Sequence, residues 1–180
     1  MSQFPIIEYA EVTDPKVRAI YDEISVELGF GMVPNLFKSM AINPAFLEAN
    51  WKKFHAIVLQ GRLPRTLKEM IGVVISHANQ SEYALRVHLH SLSALGISEE
   101  LLQRLITDFE HCPLPQRQRQ AIQFGLRAAQ QPQRLTEADY QDLQELGLDT
   151  QEVFELIATA SLFVTINQYT DAIKLEVDKL

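Results

Sequence analysis

The sequence has almost no thiol chemistry to offer. Its only cysteine, Cys112, excludes a disulfide within the chain and any multi-cysteine zinc site. Positive charge is scarce too. Sixteen Lys and Arg stand against 23 Asp and Glu, a net charge of −7, which disfavours nucleic acid as a main partner. Long apolar runs are missing: the most apolar stretch, Phe154 to Ile166, is interrupted by Glu155 and stops at Asn167, short of the roughly 20 residues that span a bilayer. Met1-Ser2-Gln3-Phe4-Pro5 has no basic region followed by an apolar run, so no secretory signal is expected. A cytoplasmic protein without a membrane partner is the simplest expectation. Strand alternation, internal repeats and long linkers are also lacking. What is present is 180 residues, 47% of them hydrophobic, the content of one globular domain over residues 1–180.

The punctuation spells helices. Asp14-Pro15 and Asn43-Pro44 each pair a capping residue with proline at the first helical position. Val17, Ile20, Tyr21, Ile24 and Leu28 then recur at helical spacing up to Gly29. The second segment runs from Phe46 to near Gly61, and its aromatics, Phe46, Trp51 and Phe54, are expected to pack in a core or an interface. Pro64 opens a helix with a stripe of Leu67, Met70, Ile71, Val74 and Ile75. Ala78-Asn79-Gln80-Ser81 breaks it, and the next helix closes at Gly96. Ser98 caps another. Two prolines make residues 109–115 a loop. The Gln-rich stretch from Gln116 to Gln133 keeps a helical apolar pattern. Thr136 with Asp139 reads as a capping pair, with Gly147 as a stop. From Asp149 a last helix is expected to run towards Leu180, apolar on several faces and therefore buried centrally or between subunits. The fold class is all-α, built from antiparallel helical hairpins.

The informative stretch runs from Lys68 to His88. It resembles the AhpD-like family, which includes peroxidase-related alkylhydroperoxidases and carboxymuconolactone decarboxylases. Gly31-Met32-Val33-Pro34-Asn35, Asn43-Pro44, Leu95-Gly96 and the region from Phe163 to Tyr169 with Asn167 extend the resemblance over nearly the whole chain. The family's peroxidase motif is a glutamate, then Cys-x-x-Cys, then a histidine four residues after the second cysteine. In register, this chain supplies Glu69 and His88, with Ser81 and Ala84 in the two cysteine positions. Reducing a peroxide needs a thiolate to attack the O–O bond and a second thiol to resolve the sulfenic acid. Neither Ser81 nor Ala84 can do either. The resemblance therefore implies the helical fold and a homo-oligomer, trimer or hexamer, but not thiol peroxidase activity, and no cofactor.

Several residues are candidates for what remains. Glu69 and His88 lie on consecutive helices, where a hairpin would bring them together. Such a pair orients water or moves a proton, or serves as a polar contact between helices. Ser81 is expected to cap its helix through a backbone N–H; a dyad with His88 would have to bridge about 10 Å of helix axis. His77 and Tyr83 are candidates for the lining of a small-molecule pocket, though His77 equally suits a helix C-terminus. His88 and His90 point in nearly opposite directions on a helix, so no metal site is expected. Cys112, beside His111, is either activated by it or an incidental loop thiol. A decarboxylase reading would use Glu69 and His88 as the acid–base pair and Arg86 or Arg65 as the anion contact, although surface duty suits Arg62 and Arg65 better. A non-catalytic assembly protein is the third reading, motivated by the apolar last helix.

Overall fold

Several helices begin where a side chain relieves their first free N–H groups. In the computed structural model, which describes residues 2–179, Asp14 accepts the Lys16 N–H at 2.8 Å ahead of α1 (Pro15–Glu27). A short helix, α2 (Asn35–Met40), follows. Asn43 accepts the Phe46 N–H at 3.2 Å ahead of α3 (Pro44–Phe54). This helix does not continue unchanged to Gly61: it widens into a π turn over His55–Leu59. Trp51 is buried, whereas Phe46 remains 44% exposed.

Pro64 precedes α4 (Arg65–Ala78), in which every residue from Leu67 to Ser76 is buried. The stripe read from the sequence was too narrow. α4 is the middle of the protein, packed against α5 (Glu82–Ala94), α6 (Glu99–Thr107), α7 (Gln116–Gln130) and α9 (Thr150–Ala172). α8 (Glu137–Glu145) starts with the Thr136–Asp139 capping box. The break between α4 and α5 is a tight reversal. Gln80 takes φ 57°, and the Ser81 N–H returns to the Ser76 carbonyl at 2.9 Å, a helix terminus closed by a left-handed residue.

The last helix is shorter than its sequence suggests. It ends at Ala172, where the Leu175 N–H bonds the Thr170 carbonyl at 2.9 Å around Lys174 at φ 51°. No glycine or proline marks this stop. The chain then leaves the helix and crosses α2. Asp178 accepts the Asn35 N–H at 2.7 Å and the Tyr83 hydroxyl at 2.8 Å.

One buried ion pair ties the π turn and the loop after it to α9. Lys68 is fully enclosed. Its Nζ donates to the Ile57 carbonyl at 2.7 Å and to the Gln60 carbonyl, and lies 3.2 Å from Glu155 Oε2. Glu155 also accepts the N–H groups of Arg62 at 2.8 Å and Leu63 at 3.0 Å. Burial pushes the Glu155 carboxyl up, but the two N–H groups and Lys68 outweigh it and hold it below its usual range. At Gly61, with φ 96°, an added Cβ would come within 2.5 Å of that carboxylate, so glycine serves both the turn and the close approach. Lys68→Met leaves Glu155 without its cation. It is expected to cost about 3–5 kcal/mol of stability, read as a lower midpoint in chemical denaturation.

Candidate functional site

Antiparallel pairing of α4 and α5 sets Glu69 opposite His88 and Arg65 opposite Ser91. Glu69 Oε2 lies 2.7 Å from His88 Nδ1. Glu69 Oε1 accepts the Ser91 hydroxyl at 2.8 Å and Arg65 Nε at 3.3 Å. Arg65 extends the cluster with bonds to the Leu28 carbonyl at 3.2 Å and to Ser91 Oγ at 3.3 Å. Burial alone would raise the Glu69 carboxyl. The His88 hydrogen bond leads the effects that reverse this, with Arg65 and Ser91 adding to it, and the group sits below its usual range. Glu69 is therefore an ionised carboxylate with both oxygens occupied.

His88 reaches Glu69 because α4 has no side chain in the way. A Cβ at Gly72 would stand 2.5 Å from the imidazole Cε1 and 2.6 Å from both ring nitrogens. On its other side the ring meets Phe163 of α9, at 4.4 Å between centroids and tilted by 69°. The imidazole is thus held between the backbone of one helix and an aromatic ring of another.

These groups border one end of a pocket with a cavity volume of about 30 Å³, enough for a water molecule. Its other walls are apolar, with Phe30, Leu36, Phe37, Phe54, Val87 and Ile166 among them. Tyr83 and Ala84 also line it. The Tyr83 hydroxyl is turned to structure: it accepts the Leu36 N–H at 2.9 Å and donates to Asp178. Burial, then the adjacent Asp178 charge, pushes that phenol well above its usual range.

The remaining sequence candidates fall elsewhere. Ser81 does not cap α5 through its side chain. Its buried hydroxyl donates instead to Asp171 Oδ1 of α9 at 2.8 Å, and the residue is not part of the pocket wall. Oγ is turned towards that distant carboxylate and makes no bond to the N–H groups of its own helix. His77 is exposed in the last turn of α4 and lines a separate surface groove with Gln80 and Glu82. Arg86 pairs with Glu82 on the exposed face of α5, so it is no anion contact for the pocket. Arg62 pairs with Asp149 at the surface. Arg65, by contrast, does not have the surface role expected of it: it belongs to the pocket wall. His90 packs edge-on against Phe30 at 5.2 Å. Cys112 is fully buried, and burial raises its thiol. The neighbouring His111 is taken by Asp108 at 2.7 Å, so it does not activate the sulfur. Among the described residues, no three His, Cys, Asp or Glu side chains gather as they would around a metal ion.

The reasoning from sequence missed Ser91 and the importance of Gly72. Both sit at readable offsets, Ser91 three residues after His88 and Gly72 three after Glu69, on the faces that a hairpin must press together. Gly72→Ala forces the imidazole off Glu69. The expected result is a loss of about 1–3 kcal/mol of stability from overpacking and a changed Nδ1 resonance in imidazole NMR spectra as the contact with Glu69 is broken.

Comparison with known proteins places this geometry in a wider group. Residues 44–108 match the model of the carboxymuconolactone decarboxylase family. No curated protein matches the chain. Among solved structures, the chain is similar to the alkylhydroperoxidase AhpD core of an uncharacterised peroxidase-related protein from Ralstonia eutropha JMP134. Identity is 25%, the TM-score is 0.89, and 99% of this chain and 93% of that one are covered. A peroxidase-related protein from Silicibacter sp. TM1040 follows at 23% identity and a TM-score of 0.87, over 96% of this chain and 90% of the other. The debrominase Bmp8, in a cysteine-to-alanine form complexed with 2,3,4-tribromopyrrole, shares the fold at 18% identity and a TM-score of 0.82, over 99% of this chain and 95% of its own. The family match centred on the α4–α5 hairpin and the full-length likeness to an AhpD core give this chain an AhpD-like all-α fold whose central segment is similar to the carboxymuconolactone decarboxylase family.

Proposed function

We propose that this AhpD-like protein has no thiol peroxidase activity and binds a small molecule in the pocket beside Glu69 and His88. The observation that carries the reading is Ala84. It lies in the pocket wall with His88 and Glu69, at the position where the family resemblance puts the attacking cysteine. A methyl group there supplies no nucleophile. The hydroxyl of Ser81 is neither a redox centre nor free, being bonded to Asp171. The one thiol in the chain, Cys112, is fully buried and outside this pocket, and its raised pKa disfavours the thiolate that peroxide reduction requires.

An acid–base enzyme of the decarboxylase type is the second reading. Arg65 favours it, because a cation beside a Glu–His pair is what a carboxylated lactone would need. We also propose a homo-oligomer, either trimer or hexamer, in the cytoplasm. Phe154 is 68% exposed and Ile157 37% exposed on α9, and this supports a contact between subunits. Light scattering is expected to give a mass of at least three chains, and Phe154→Asp is expected to lower it.

The main test is hydroperoxide reduction driven by dihydrolipoamide. Wild type and Cys112→Ser are both expected to be inert, whereas the double change Ser81→Cys with Ala84→Cys is expected to gain turnover. Activity in wild type that Cys112→Ser abolishes would overturn the reading and move the chemistry to the loop.

A further inference from the structure

The pocket beside Glu69 is closed. Its cavity of about 30 Å³ holds a water, so any larger molecule enters only when part of the wall moves. Most of the wall is fixed. Glu69, Ala84, His88 and Ile166 are buried side chains on the long helices α4, α5 and α9, and Leu36 and Phe37 are buried on α2. The wall side chains that reach solvent are Phe30, Phe54, Arg65 and Val87. Phe54, Arg65 and Val87 are set in helices, and Phe54 is further pinned by Phe37 edge-on at 5.6 Å and by Trp51 stacked at 6.1 Å. Phe30 alone of the four lies outside every helix.

The segment that carries Phe30 is held at its ends and free between them. Leu28 and Val33 are buried, and the Leu28 carbonyl accepts Arg65 Nη1 at 3.2 Å. Among the described residues, none of positions 29–32 makes a backbone–backbone hydrogen bond. Gly29 and Gly31 are exposed, at φ 76° and 65°, and an added Cβ at either would meet no atom within 4 Å. Nothing packs on these two backbones, and glycine moves into and out of the left-handed region without steric cost. A short segment with few buried contacts and an unbonded backbone opens far below the cost of global unfolding.

The Phe30 ring is what keeps the segment down. It stands edge-on to His90 of α5, with centroids 5.2 Å apart, and Arg65 Cζ lies 5.9 Å from its centre. Each of these contacts is worth only a few-fold in an opening equilibrium. We propose that Phe30 is the gate of the pocket: positions 29–32 turn about Gly29 and Gly31, the ring lifts off His90 and Arg65, and a small molecule passes from solvent to the wall at Ala84. The proposal rests on the pocket assignment above and gives the pocket its entry route.

The test uses the full chain carrying Ala84→Cys, which puts a thiol in the pocket wall. Cys112 stays as an internal reference. It is fully buried and outside this pocket, so it reacts only when the core opens. Methyl methanethiosulfonate, small and neutral, is the probe, and modification at each position is followed by peptide mass spectrometry. Position 84 is expected to react faster than Cys112. Adding Phe30→Ala is expected to speed position 84 about tenfold and leave the Cys112 rate unchanged. Gly31→Ala removes no contact but disfavours the closed backbone, and is expected to speed position 84 about fivefold. Phe54→Ala, which trims a helical part of the wall by the same amount, is expected to change it by less than about twofold. Equal rates at the two positions, or equal acceleration of both by Phe30→Ala, would make global unfolding the route and overturn the gate. So would acceleration by Phe54→Ala that matches Phe30→Ala, or no acceleration by Phe30→Ala. Acceleration by Phe30→Ala without any by Gly31→Ala would make the ring a static plug and overturn the hinge. Labelling reads entry and not turnover, and the dihydrolipoamide assay judges peroxidase activity separately, so failure of the gate is distinguishable from failure of the functional reading.

Discussion

Two consecutive charged residues, Lys68 and Glu69, are buried in the central helix, and the arrangement of the other helices follows from how each is neutralised. On a helix, neighbours in sequence point about 100° apart, so the two charges address different parts of the fold. Lys68 meets the carbonyls that the π turn and the loop behind it leave free, together with Glu155 of α9. Glu69 meets three donors on the opposite side, two from α5 and one from its own first turn. Neither charge has water to fall back on, and an unpaired buried ion costs several kcal/mol. The register of α4 against α5, and the docking of the loop before α4 onto α9, are therefore fixed by the requirement that both charges find partners at once.

The pocket inherits its character from this arrangement. Its polar end is preorganised because every group there has a structural engagement first and a possible ligand second. Gly72 supplies the clearance for the imidazole, and Phe163 closes the ring's other face. A side chain held on both faces loses little further freedom on binding. The apolar walls come from α2, α3 and the turn at Phe30, with Val87 of α5 and Ile166 of α9 added to them. Division of labour between a rigid polar hairpin and an apolar cover is thus built into the chain order.

Much of this was legible in the sequence where the signal is local. Asp14-Pro15, Asn43-Pro44, and Thr136 with Asp139 announce helix starts because capping acts over three residues. Glu69 and His88 were picked out by the resemblance to the family motif, and their place on consecutive helices made a hairpin contact possible. What escaped depends on partners far along the chain. Ser81 turns away from its own helix because Asp171, 90 residues on, offers a carboxylate. The end of α9 was invisible because Lys174, not glycine, adopts the left-handed turn. The tail beyond it is held by Tyr83 and Asn35 through Asp178, a contact no periodicity encodes. Arg65 read as a surface cation because proximity to Pro64 says nothing about the Leu28 carbonyl that receives it.

The contact between Glu69 and His88 has a structural explanation that does not invoke catalysis. Removing either would leave a buried partner unsatisfied, and that penalty applies whether or not the pair ever moves a proton. Ala84 carries no such constraint. A small apolar residue in an apolar wall breaks no hydrogen bond and strands no charge, so the sulfur at that position can be lost at little cost to the fold. The Glu69–His88 contact is therefore held by stability, whereas nothing in the fold constrains position 84 beyond a small apolar side chain. The persistence of the pair is on this account no measure of proton transfer.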